Sequence, residues 1–183
     1  AGLSALIASK KGGSSIGIDI NPRAIQLASL NRDLNGLEKV FFRVSDWKEF
    51  SDHNFDVIVS QPPFDPYLDG VNPSFAFDGG GFDGLEATKG IIEHYMPKDR
   101  QTLALYIHTL ENDSQSYFRT ILKKLIGDAP IIVHLEPQNV FDLQEWWKKY
   151  KLRRGMNPKH AMPTHFQSFT KRMAYFVYLT GSG

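Results

Sequence analysis

Six short apolar runs punctuate the chain, and amphipathic or polar stretches fill the intervals between them. The runs are Ser15 to Ile20, Val40 to Val44, Phe55 to Ser60, Thr102 to His108, Ile131 to Leu135 and Ala174 to Leu179. Each is strand-length and rich in β-branched or aromatic residues, which predicts buried strands. Helices are predicted for Leu3 to Ser9, Leu85 to Tyr95, Ser116 to Ile126 and Phe141 to Tyr150. A further helix begins after Asn21-Pro22, where Asn suits the N-cap and Pro the first turn. Its apolar positions Ala24, Ile25, Leu27, Ala28, Leu30 and Leu34 recur mostly every three or four residues, and Asn35-Gly36 ends it. The Gly-, Pro- and Asp-rich stretch from Asp65 to Gly84 reads as a loop, and residues 151–172 as irregular.

Strands alternating with helices predict an α/β fold, a mostly parallel sheet covered on both faces. No clear full crossover helix parts the last two strands, so the final strand is expected to run antiparallel. A single domain over residues 1–180 is expected, with residues 181–183 as a tail.

Composition narrows the function classes. The chain has 183 residues, 42% hydrophobic and 22% charged, an ordinary water-soluble balance. No apolar run reaches the ~20 residues that span a bilayer, and the N-terminus does not read as a signal peptide. With no cysteine there is no disulfide framework, thiolate metal site or cysteine nucleophile. A cytoplasmic setting is consistent with that, and no metal site is expected. HExxH spacing and a Walker loop are absent from the sequence.

Charge is unevenly spread. Lys148 to Arg172 holds eight Lys/Arg, two His and no acid, while the remaining 13 basic and all 20 acidic residues leave the rest near −7. The stretch interleaves its cations with Tyr150, His160, His165, Phe166 and Phe169. Cations among aromatics suit phosphates and unstacked bases, so RNA is the first expected partner. A merely solvated surface segment is the alternative.

Candidate chemistry sits where three strands end, the place where open α/β sheets bind ligands. The first ends in Asp19, whose carboxylate can accept hydrogen bonds from both hydroxyls of a ribose or can cap the next helix. The second ends in Ser45-Asp46-Trp47. Asp46 can accept from an adenine amino group or shape a turn, and Trp47 can cover the ring or join the core. The third runs into Ser60-Gln61-Pro62-Pro63-Phe64. The two prolines remove two N–H groups and fix two φ angles, leaving carbonyls free to face a ligand. With the Gln61 amide and the Phe64 ring, such a turn can hold a planar amino group and aim its lone pair at an electrophile.

The chain resembles the class I, Rossmann-like methyltransferases, and among them the N-methyltransferases with an Asn/Asp/Ser-Pro-Pro-Tyr/Phe motif. GIDINPRAIQLASLN (Gly17 to Asn31), SDW, SQPPF and GGGFDGLE (Gly79 to Glu86) carry the likeness. The last resembles protein-glutamine methyltransferases, whereas SQPPF with Phe is nearer to enzymes acting on ribosomal RNA guanine. The resemblance implies S-adenosylmethionine as cofactor. It implies cofactor contacts at Gly2, Asp19, Ile20, Asp46, Trp47 and Ser60, and a substrate turn of Gln61, Pro62, Pro63 and Phe64. The reaction implied is methylation of an exocyclic amine of an RNA base. A protein glutamine is the second substrate, and a non-catalytic relative the third reading.

Two departures stand out. The family's strand order is 3-2-1-4-5-7-6, and its first strand, followed by a GxGxG turn, has no counterpart here. Ala1-Gly2-Leu3 resembles the end of that turn, which makes Gly2 its remnant and suggests a truncated chain or a segment supplied by another chain. Gln61 stands where Asn or Asp is usual, one methylene longer, so the site is either re-tuned or inactive.

Overall fold

A computed structural model describes residues 1–52, 54–66, 80–113 and 116–182. It divides into two compact units, Ala1–His53 and Asn54–Gly183.

The first unit contains α1 (Leu3–Lys10), β1 (Ser15–Asp19), α2 (Pro22–Leu34) and β2 (Val40–Val44). β1 and β2 pair in parallel from Ser15 opposite Val40 to Asp19 opposite Val44. The Asn21 side chain caps α2 by accepting from the Arg23 N–H, with Pro22 at the first position. Gly36 at φ 61° follows its end. Ala28 and Val40 are buried between helix and strands. Phe42 lies so close to Gly2 and Gly17 that a Cβ on either would come within 2.8 Å of its ring.

The second unit contains β3 (Val57–Ser60), α3 (Glu86–His94), β4 (Thr102–Glu111), α4 (Tyr117–Ile126), β5 (Ile131–Asp142), α5 (Leu143–Arg153), a 3-10 turn at Thr164–Ser168 and β6 (Lys171–Gly181). The sheet order is β3-β4-β6-β5. β3 and β4 are parallel, and β6 is antiparallel to both neighbours, as the missing crossover predicts. Taken by itself, this four-stranded order matches the 4-5-7-6 part of the expected order, and the separate β1-β2 pair matches its 3-2 part. Leu103, Leu105 and Ile107 on one face of β4, beside Val177 and Leu179 of β6, form the core under α3 and α4. Ala87, Thr88, Ile91 and Ile92 of α3 and Phe118 and Leu122 of α4 are the buried helix residues there.

Several boundaries differ from expectation. β5 runs to Asp142 and takes in Pro137, where a strand ending at Leu135 is expected. Proline survives because β5 is the edge strand, and the register slips between Pro137 and Asn139. α5 therefore starts at Leu143 rather than Phe141. The Asp142 carboxylate accepts from the Glu145 N–H at 2.9 Å, a cap spelled by Asp142 and Glu145 three residues apart. The expected tail is ordered as far as Ser182. Gly181 closes β6 and donates to the Gln101 carbonyl at 3.1 Å, and the Ser182 N–H reaches the Pro130 carbonyl at 2.9 Å. Residues 67–79, the greater part of the expected 65–84 loop, and Gly183 lie outside the described residues.

The stretch 151–172 is basic but not simply irregular. α5 carries Leu143, Trp147 and Tyr150 at helical spacing, and these pack with Leu110 and Phe166 into a second core. Tyr150 and Phe166, expected to meet bases, are thus buried at 1% and 0% exposure: Tyr150 lies on the inward face of α5, and Phe166, in the 3-10 turn, packs against Trp146 and Trp147. Phe169 packs on the same cluster. Much of the charge is also engaged: Lys148 with Glu145, Lys151 with the Pro158 and His160 carbonyls, Arg153 and Arg172 with Asp65, Lys171 with Asp113. The rings and cations assigned to RNA are largely structural.

Candidate cofactor site and target turn

In the first unit, Gly2 and Asp19 line one small cavity of about 50 Å³ with Gly17, Ala24, Ala28 and Phe42. Gly2 adopts φ 77°, a left-handed conformation that side chains resist, and a Cβ there would sit 2.7 Å from Phe42. Only glycine leaves this cradle open. One Asp19 oxygen accepts from the Asn21 N–H at 2.8 Å, at the start of α2. The other oxygen has no partner among the described residues, and the side chain is exposed. A glycine cradle beside an available carboxylate fits the hydroxyl edge of a ribose. Ile20, next in the chain, is 69% exposed.

The Ser45 N–H donates to the Asp19 carbonyl at 3.1 Å, so the ends of β1 and β2 lie side by side. Asp46 is a turn residue here. Its carboxylate accepts from the Lys48 N–H at 2.9 Å, and its carbonyl accepts from Glu49 and Phe50. Trp47 is half-buried, with the Lys48 ammonium 5.3 Å from its ring centre.

In the second unit, Ser60 closes β3 and the chain turns through Gln61, Pro62, Pro63 and Phe64. Gln61 is exposed and its amide has no partner among the described residues, whereas Pro62 is buried. The turn is held from three sides. The Gly80 N–H donates to the Asp65 carbonyl at 3.3 Å, and Gly84 at φ 81° lies where a Cβ would meet the Phe64 carbonyl oxygen at 2.7 Å. The two sequence motifs, SQPPF and the Gly-rich stretch, are therefore packed against each other. Asp65, only 1% exposed, accepts from Arg172 at 2.9 Å and pairs with Arg153. Arg172, 4% exposed, also reaches the Phe64 carbonyl at 3.4 Å. Its guanidinium lies 4.6 Å from the Trp146 ring centre and 5.3 Å from that of Phe64. The Tyr150 hydroxyl donates to the Pro66 carbonyl at 3.1 Å. Burial pulls Arg172 below the usual arginine range and Asp65 pulls it back, but an arginine starts so high that it stays charged.

His108, on β4, stacks on Phe64 with ring centres 4.3 Å apart and planes 13° from parallel. Burial first, and the Arg172 charge second, push its imidazole down to about 4, against an opposing pull from Asp65. It is neutral near pH 7.

Asp65, Gly84, His108 and Arg172 did not emerge from the sequence. Asp65 directly follows the motif, and Arg172 is a charge leading an apolar strand, a pairing that only the fold discloses. Gly84→Ala is expected to cost on the order of 1–2 kcal/mol from the left-handed backbone alone. The clash with the Phe64 carbonyl adds to this, and the loss is measured as a lower urea midpoint.

Among the described residues no helix is long and apolar enough to cross a membrane, and no group of three or more His, Asp or Glu could hold a metal ion.

A family profile described as methyltransferase domain matches residues 2–125, and the chain belongs to that family. The expected class, an S-adenosylmethionine-dependent methyltransferase, accords with that membership. The release factor glutamine methyltransferase of Rhodospirillum rubrum is 40% identical over 94 residues, which are 46% of this chain and 29% of that protein. That of Agrobacterium fabrum is 39% identical over 82 residues, 39% of this chain and 28% of that protein. The aligned parts thus span less than a third of either relative. A Bacillus halodurans C-125 structure described as a methyltransferase superposes with a TM-score of 0.55 at 12% identity, covering all of this chain and 89% of the other. An rRNA methylase from Streptococcus thermophilus superposes with a TM-score of 0.51 at 13% identity, covering 98% of this chain and 82% of the other. At such identities these two likenesses show the fold alone.

Proposed function

We propose that this chain carries out methylation of a glutamine side-chain amide in a protein, with S-adenosylmethionine as methyl donor. The 40% identity to a release factor glutamine methyltransferase carries the reading. The packing of the Gly-rich stretch on the Gln-Pro-Pro-Phe turn supports it. The RNA-base reading loses ground because Tyr150 and Phe166 are core residues and Asp65 engages two of the arginines.

Bound cofactor supplies an electrophilic sulfonium methyl group. Asp19 offers its available oxygen to the ribose, and the Gly2 backbone bounds the same cavity. Gln61 and the Pro62 carbonyl accept hydrogen bonds from the target nitrogen. They fix its orientation and stabilise positive charge as it attacks. The proton given up by the target nitrogen would pass to solvent, so no strong base is required of the chain.

Two measurements test this. Calorimetric titration of S-adenosylmethionine is expected to show binding to the parent chain and none to Asp19→Ala. Incubation of cofactor labelled in the methyl group with unmethylated release factor and, separately, with total RNA is expected to label the protein. Label in RNA alone would overturn the glutamine reading.

A further inference from the structure

The imidazole of His108 occupies a place that the target turn would otherwise present to a ligand. It lies flat on Phe64, with ring centres 4.3 Å apart. It is also parallel to Phe141 at 5.7 Å and edge-on to Tyr106 at 5.4 Å, so three rings hold its plane. Carbon atoms of stacked rings touch at roughly 3.5–4 Å, so the Phe64–His108 stack leaves no free layer between its rings. A base could enter between Phe64 and His108 only if one ring moved away by a further full layer. That face is closed to a nucleobase, while a carboxamide can be gripped at its edges without any stack.

The same imidazole carries an unsettled polar atom. Its Nδ1 is buried and has no hydrogen-bond partner among the described residues. A buried nitrogen without a partner costs about 1–3 kcal/mol, and such an atom beside a candidate site is explained when a ligand completes it. A neutral imidazole either donates or accepts at this nitrogen, depending on its tautomer. A carboxamide offers both an acceptor oxygen and donor hydrogens, so it satisfies either tautomer.

We propose that His108 is a specificity-determining residue of the target site: its ring takes the face of Phe64 that a planar base would need, and its Nδ1 hydrogen-bonds the carboxamide of the target. The inference rests on the glutamine reading above and names the side chain that enforces it.

Two substitutions separate the ring from its nitrogen. His108→Phe keeps the stack and removes the hydrogen bond. His108→Asn returns a polar atom near Nδ1 without the ring. With unmethylated release factor as substrate, His108→Phe is expected to lower kcat/KM ten- to a hundredfold, chiefly through KM, with cofactor affinity and Tm close to the parent. His108→Asn is expected to recover part of that loss on the protein. It is also expected to admit labelling of total RNA, which the parent and His108→Phe exclude. Equal kcat/KM for His108→Phe and parent on the protein would overturn the proposal. So would a parent-level RNA blank for His108→Asn combined with no recovery on the protein. If the parent itself labels RNA and not protein, the glutamine reading falls and this inference with it, an outcome visible before any variant is made.

Discussion

Asp65→Asn is expected to destabilise the second unit by about 3–5 kcal/mol, the usual cost of leaving one member of a buried ion pair without its counter-charge. The substitution is nearly isosteric and keeps an oxygen facing Arg172, so lost packing does not account for the effect. Arg172 is 4% exposed and cannot turn to water, and its remaining partners among the described residues are the Phe64 carbonyl and two ring faces. Arg153, by contrast, has a side chain 43% exposed and regains solvent when Asp65 loses its charge. The asymmetry gives an internal control. Arg172→Met leaves Asp65 still paired with Arg153 and is expected to cost less than Asp65→Asn. Urea unfolding followed by tryptophan fluorescence reads this unit well, since Trp146 and Trp147 belong to it and Trp146 touches Arg172. The midpoint should fall while the slope holds. An Asp65→Asn midpoint above that of Arg172→Met would mean that the pair is not what holds the turn. Domains are typically stable by about 5–15 kcal/mol, so the expected loss is a large share of the total.

That network explains what the sequence could and could not disclose. Local features were legible: Asn21-Pro22 spelled a capped helix start, the short run Val40 to Val44 matched β2 to the residue, and the absent crossover foretold an antiparallel β6. Pro137 misled because a proline argues against a strand unless the strand is known to be at an edge, and edge position is a tertiary fact. Tyr150 and Phe166 misled because composition records cations and rings but not which way they face. The charge excess of the C-terminal stretch hid Arg172, whose partner is 107 positions away. The ends of β1 and β2 lie side by side, and Gly2 and Asp19 line one cavity. Asp46 proved to shape its own turn, the alternative that its residue type always leaves open.

Gln61→Ala is expected to lower kcat by about 10²–10³, the loss seen when one preorganised polar partner of a developing charge is removed. S-adenosylmethionine affinity should be unchanged, because the residues assigned to the ribose are Gly2 and Asp19. Stability should also hold, since Gln61 is exposed and no partner among the described residues depends on it. The informative companion is Gln61→Asn, which restores the amide usual for the resemblance at a side chain one methylene shorter. Proline on both following positions fixes φ, so the backbone cannot easily shift to compensate for a side-chain length. A misplacement of about 1 Å is worth about 10²-fold in rate. If the turn is adapted to the longer side chain, Gln61→Asn falls nearly as far as Gln61→Ala. If the turn kept the geometry suited to the shorter amide, Gln61→Asn equals or exceeds the parent. Either result with Gln61→Ala impaired supports a methyl-transfer role for the turn. Parent-like kcat in Gln61→Ala, measured under cofactor saturation with unmethylated release factor, would remove Gln61 from the chemistry and leave the Pro62 carbonyl as the acceptor to test next.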